Sequence, residues 1–134
     1  MKNTGIWLDK KRALIVNMIN NEATVKTVHS DIDNFNITAN KHAGGAKEIV
    51  KDREYLEREK HQFKGYFKDI IHELNDIDAL VIFGPAETFE KFAKELEEHH
   101  KHISAKINGI RRADSMTENQ VVAWVRDFFE SNEH

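Results

Sequence analysis

The run Ala79-Leu80-Val81-Ile82-Phe83, closed by Gly84-Pro85, is the segment that most narrows the fold. An unbroken apolar run bounded by turn formers reads as a short buried strand. On either side of it the periodicity is helical. Before it, Leu56, Phe63, Phe67, Ile70, Ile71 and Leu74 recur at three, four and seven residues, which predicts a long helix from Arg53 to Leu74 with Gly65 as a blemish inside it. After it, Phe89, Phe92, Ala93 and Leu96 mark the inward face of a second helix from Ala86 to Glu98, and Pro85 sits where a helix start tolerates it.

The first third of the chain has a different pattern. Gly5 to Asp9, Ala13 to Ile19 and Ala23 to His29 read as three short strands. They are joined by the polar turns Asp9-Lys10-Lys11-Arg12 and Asn20-Asn21-Glu22, which suit an antiparallel meander. Between Ser30 and Asp52 periodicity fails, so a flexible loop at about 30–52 is expected. Ile103 to Ile110 reads as a fifth strand, and Ser115-Met116-Thr117-Glu118 offers a cap to a last helix with Val121, Trp124, Val125 and Phe128 on its apolar face. The predicted order is β-β-β-α-β-α-β-α. Three antiparallel strands followed by parallel crossovers imply an α/β fold with a mixed five-stranded sheet covered by helices, the ribonuclease H-like topology.

With 134 residues the chain has the size of one domain, 1–134, able to bury roughly two thirds of its unfolded surface. It contains no cysteine, which removes disulfides, thiolate metal sites and Cys nucleophiles and suits a reducing compartment. Met1-Lys2-Asn3-Thr4 runs straight into a strand without the apolar stretch of a signal peptide or membrane span, so a soluble, cytoplasmic protein with no membrane partner is expected. The net charge of −3 gives no strong overall field for nucleic acid. Its distribution is uneven. Lys41 to Lys68 holds eight Lys/Arg against five Asp/Glu, whereas Ala113 to His134 holds one against five.

Enzymatic readings meet chemical obstacles. A two-metal nuclease needs carboxylates converging on ions about 4 Å apart. Asp9 could join such a set, but the fourth strand ends in Phe83-Gly84-Pro85 where a second carboxylate is wanted, and Asp9 reads as a turn residue. In Glu98-His99-His100-Lys101-His102 adjacent imidazoles diverge and Lys101 repels a cation, so neither a metal nor a cofactor is expected. His42 and His61 lack partners at the offsets of a catalytic triad. Gly84-Pro85-Ala86-Glu87-Thr88 has the outline of an anion-binding turn but lacks the glycines and Lys of a phosphate loop, and reads as a tight structural turn.

Lys41-His42-Ala43-Gly44-Gly45-Ala46-Lys47 is more informative, because paired glycines let a backbone approach another molecule closely. Lys41, Lys47, Arg53, Arg58, Lys60 and Lys64 are candidate phosphate contacts on one side of the molecule. These residues, with Glu59-Lys60-His61, the helix through Phe67, and Leu80-Val81-Ile82-Phe83-Gly84-Pro85 followed by Phe89 and Phe92, resemble the central domain of archaeal and eukaryotic class I peptide-chain release factors and Pelota. They resemble still more the standalone bacterial members of that superfamily, some of them host-attachment proteins, in which a segment similar to Ala113-Asp114-Ser115-Met116-Thr117-Glu118 leads into the last helix. The resemblance spans nearly the whole chain.

In the release factors this domain carries a Gly-Gly-Gln loop that promotes hydrolysis of peptidyl-tRNA. Gly44 and Gly45 match the glycines, but Ala46 stands in the Gln position and has no amide to offer. The resemblance therefore implies a non-catalytic factor that binds the ribosome or tRNA in translational stress, rescue or quiescence. Lys41, His42, Gly44, Gly45, Lys47, Arg53, Arg58, Lys60 and Lys64 would be its RNA-binding residues. Two alternatives stay open: a protein-interaction module or homo-oligomer that has lost the RNA role, and a metal-dependent nuclease or peptidyl-tRNA hydrolase.

Overall fold

The computed structural model describes residues 1–30, 32 and 47–131, with the backbone alone for 47–55. The elements are β1 (Lys2–Leu8), β2 (Arg12–Ile19), β3 (Glu22–His29), α1 (Lys47–His72), β4 (Ala79–Gly84), α2 (Thr88–His99), α3 (Lys101–Ser104), β5 (Ile107–Arg112) and α4 (Glu118–Ser131). They build a five-stranded mixed sheet in the order β3-β2-β1-β4-β5. β1 pairs antiparallel with β2, and β2 with β3, while β4 lies parallel to both β1 and β5. The α/β architecture is the expected one.

Two boundaries differ most from expectation, beside shifts of a few residues such as β1 starting at Lys2 rather than Gly5 and α2 at Thr88 rather than Ala86. Residues 47–52, assigned to the end of the loop, are the first turns of α1. The loop reading rested on missing apolar periodicity, which reports burial rather than helicity. The fifth strand begins at Ile107, because Lys101–Ser104 form the single-turn α3, with Ser104 N donating to His100 O and Ala105 N to Lys101 O. Ile103 is buried from that turn, and one apolar residue does not distinguish a turn of helix from a strand.

The continuous apolar strands serve two cores at once. Alternate side chains leave opposite faces of a strand, so Ile6, Leu8, Leu80 and Ile82 enter one cluster with Tyr66, Phe67 and Ile70 of α1 and Phe89, Phe92 and Leu96 of α2. Trp7, Val81 and Phe83 enter the other, with Val121, Val125 and Phe129 of α4. The result is α1 and α2 on one face of the sheet and α4 on the other. There the Trp124 ring stacks on Phe83 at 3.8 Å. A Cβ at Gly5 would overlap the Val125 side chain, so the missing side chain on β1 lets α4 come close.

Local chemistry agrees with these elements. Asn20 and Asn21 take positive φ values of 53° and 69° between the paired Ile19 and Glu22, the two-residue turn that matches strand twist. Thr117 and Gln120 cap α4 reciprocally, Gln120 N donating to Thr117 Oγ1 and Thr117 N to Gln120 Oε1. Asp9 Oδ1 accepts from the amides of Lys11 and Arg12, closing the β1–β2 turn. The Tyr66 hydroxyl of α1 donates to Asp9 O at 2.9 Å and anchors the helix to that turn. Burial, and secondarily the Asp9 charge, raise the Tyr66 phenol above its ordinary pKa of 10.0. Among the described residues no helix is long and apolar enough to cross a membrane.

Two tests follow from this packing. Gly5→Ala should cost about 1–3 kcal/mol by overpacking, whereas Gly65→Ala, in open space on α1, should gain roughly 0.5–1 kcal/mol from helix propensity; urea unfolding measures both. The native state holds the Tyr66 proton above the pH at which the unfolded chain releases it. Stability from this group is therefore complete below about pH 10 and declines as pH rises further. In Tyr66→Phe that alkaline component disappears, and loss of the hydrogen bond costs about 1 kcal/mol at neutral pH, both readable from denaturation curves across the alkaline range.

Candidate functional site

Helix α1 has 26 residues, a length of about 39 Å, against about 23 Å for the seven residues of β1. Tyr66 meets Asp9 at the carboxyl end of β1. The turns well before Tyr66 therefore project beyond the sheet. This explains why Leu56, expected on the apolar face, is 56 % exposed.

The sequence-derived site is only partly brought together here. Lys41, His42, Gly44 and Gly45 lie outside the described residues, and Lys47 and Arg53 are placed by backbone alone. Lys60 and Lys64 share one exposed stripe of α1. Arg58 does not join them, since two helical steps turn it roughly 160° away from Lys60. The residue that extends the stripe is Lys68, four positions beyond Lys64. No described acid forms an ion pair with Lys60, Lys64 or Lys68. Lys10, by contrast, is held by Glu59 at 3.5 Å, Lys26 by Glu73 at 2.8 Å and Arg112 by Glu90 at 3.1 Å.

The lysine stripe borders a groove between α1 and α2. Its middle part, about 450 Å³, has Leu56, Phe63 and Phe67 as apolar lining and Lys60, Lys64 and Lys91 among its polar ones. Lys91 comes from α2, with its Nζ 4.8 Å from the centre of the Phe63 ring. The groove runs on past Lys68, Ile71 and His100 in one direction, and past Phe63 and Lys91 to the ends of β1 and β4 in the other. Glu95 faces it, opposite His100 at 3.8 Å. Unpaired ammonium groups beside an aromatic floor can contact phosphates along a strand while its bases or apolar groups meet the floor.

The features weighed for catalysis take other positions. Asp9 spends one carboxylate oxygen on its own turn. Among the described residues no three His, Asp or Glu side chains converge into a metal site. Gly84 is required where β4 passes β1, since a Cβ there would overlap the Leu8 carbonyl oxygen. Lys68 was legible from its four-residue spacing to Lys64, but Lys91 was not, because only packing brings α2 beside α1.

No protein-family model matches the sequence, and no curated protein matches it. Solved structures do resemble it. Pelota from Thermoplasma acidophilum matches with a TM-score of 0.60 at 19 % identity, over 99 % of this chain and 36 % of its own. Pelota from Archaeoglobus fulgidus gives 0.59 at 9 % identity, over 94 % and 31 %. The archaeal translation termination factor aRF1 gives 0.60 at 10 % identity, over 97 % and 39 %. The chain spans about a third of the length of these structures. Its five-stranded mixed sheet with helices on both faces thus has the release-factor and Pelota-like fold.

Proposed function

We propose that this protein is a cytoplasmic, non-catalytic factor that binds the ribosome or its RNA in translational stress, rescue or quiescence. The observation that carries this reading is the row of Lys60, Lys64 and Lys68, without an acidic partner among the described residues, along an aromatic-lined groove. The fold shared with Pelota and aRF1 supports it. In this reading Gly44 and Gly45 offer a close-approaching backbone, Lys41, His42, Lys47 and Arg53 add phosphate contacts, and Ala46 supplies no amide for hydrolysis.

A second reading, a self-associating or protein-binding module, draws on the exposure of Leu56 at the groove. Light scattering distinguishes it: concentration-dependent assembly that Leu56→Glu abolishes, with no RNA bound, favours this alternative.

The RNA reading is tested by sedimenting the protein with ribosomes and by titrating single-stranded RNA at several salt concentrations. The triple variant Lys60→Glu, Lys64→Glu, Lys68→Glu should lower the log–log salt slope by about 2, at roughly 0.7 per lost phosphate contact. Arg58→Glu, turned away from the stripe, should change it less. A wild-type protein that stays at the top of the gradient in low salt, with RNA affinity indifferent to the triple variant, refutes the proposal.

A further inference from the structure

The carboxyl ends of β1 and β4 lie side by side, with Trp7 paired to Phe83, and ligands of α/β sheets gather outside such ends. A cavity of about 400 Å³ opens there, lined by Asp9, Lys10, Glu59, Phe63, Thr88 and Lys91 among others. Two independent features of it call for an acceptor. Helix α2 has no side-chain cap, and no described group accepts from the Thr88 and Phe89 amides at its positive end. Thr88 itself lines the cavity at 7 % exposure, and its hydroxyl has no hydrogen-bond partner among the described residues. A hydroxyl kept from water without a partner is costly unless something supplies one.

The acids of the cavity are otherwise engaged. Asp9 Oδ1 is held by its turn, Glu59 pairs with Lys10 at 3.5 Å, and the largely exposed Glu87 lies 3.9 Å from Lys91 Nζ. The first amides of α2 and the Thr88 hydroxyl remain as donors, and the Lys91 ammonium, over the Phe63 ring at 4.8 Å, has only the long, exposed contact to Glu87 to give up. A cation would meet the positive end of the helix, and a neutral ligand would leave its first amides without a charged acceptor, since Glu87 and Glu90 make no side-chain cap. A tetrahedral oxyanion can accept from amides, hydroxyl and ammonium together.

We infer that this cavity is a phosphate-binding site, in which the Thr88 and Phe89 amides, the Thr88 hydroxyl and Lys91 receive one phosphate group. The group is either inorganic phosphate or the terminal phosphate of a nucleotide chain. The site stands apart from the RNA proposal, because phosphate alone should fill it even if Lys60, Lys64 and Lys68 contact nothing.

The test is a titration of the full chain with inorganic phosphate at constant ionic strength, followed by amide NMR. Saturable shifts are expected at Thr88, Phe89 and Lys91, with affinity roughly tenfold lower in Thr88→Val and recovered in Thr88→Ser. Lys91→Gln provides a second weakened variant that leaves the buried position untouched. Comparing a 5′-phosphorylated oligonucleotide with its 5′-hydroxyl twin separates the sources. A preference for the phosphorylated end assigns the site to nucleic acid, and equal binding of the two beside tight inorganic phosphate assigns it to a small solute. Identical shifts with chloride, or phosphate affinity unchanged in both Thr88→Val and Lys91→Gln, overturn the inference.

Discussion

The parallel pairing of β1 with β4 holds the molecule together. It joins a locally folded meander to the helix-covered half across more than seventy residues of chain, from Asn3↔Ala79 to Trp7↔Phe83. Closing so long a loop is unfavourable, so the pairing must bring a large return. The return is burial on two faces: Ile6 and Ile82 pack under α1 and α2, while Trp7 and Phe83 pack under α4. Polar contacts secure the register where the strands begin. Lys2 N donates to Asp78 Oδ2 at 2.6 Å and Asp78 N to Lys2 O at 2.9 Å. At the far end Gly84 lets β4 pass the Leu8 carbonyl.

That pairing also sets the direction of the surface chemistry. Helices α1 and α2 cross the same face in the same direction, as Phe63 meets Lys91, Phe67 meets Phe92, and Ile71 lies near His100. The uncapped start of α2 therefore opens at the strand carboxyl ends, where the groove between the helices leads. The lysine stripe and the Thr88 cavity are two parts of one cleft. Phe63 and Lys91 belong to both the middle of the groove and its head.

Much of the fold was legible because strands and helices here carry distinct periodicities. The alternation of Val25 and Val28 with Lys26 and Thr27, the unbroken run Ala79 to Phe83, and the spacing from Phe63 to Leu74 each report a particular degree of burial. The first turns of α1 and the turn at Lys101–Ser104 escaped that signal. The former carries no apolar stripe, and the latter is too short to display one. The site was less legible. Lys60 and Lys64 were found, Arg58 was grouped with them although helical rotation turns it away, and Lys91 and Thr88 come to the cleft from a segment whose turn had the outline of an anion-binding turn but read as structural because it lacks the glycines and Lys of a phosphate loop.

The sequence by itself determined the order of elements, the mixed character of the sheet and the face that each helix buries, because these follow from periodicity and turn chemistry within a few residues. Only the tertiary structure decided which cations lack an acidic partner among the described residues, where α1 outruns the sheet to expose Leu56, and that the start of α2 opens beside Lys91. Charge pairing, overhang and uncapped donors are properties of neighbours distant in the chain, and no local pattern encodes them.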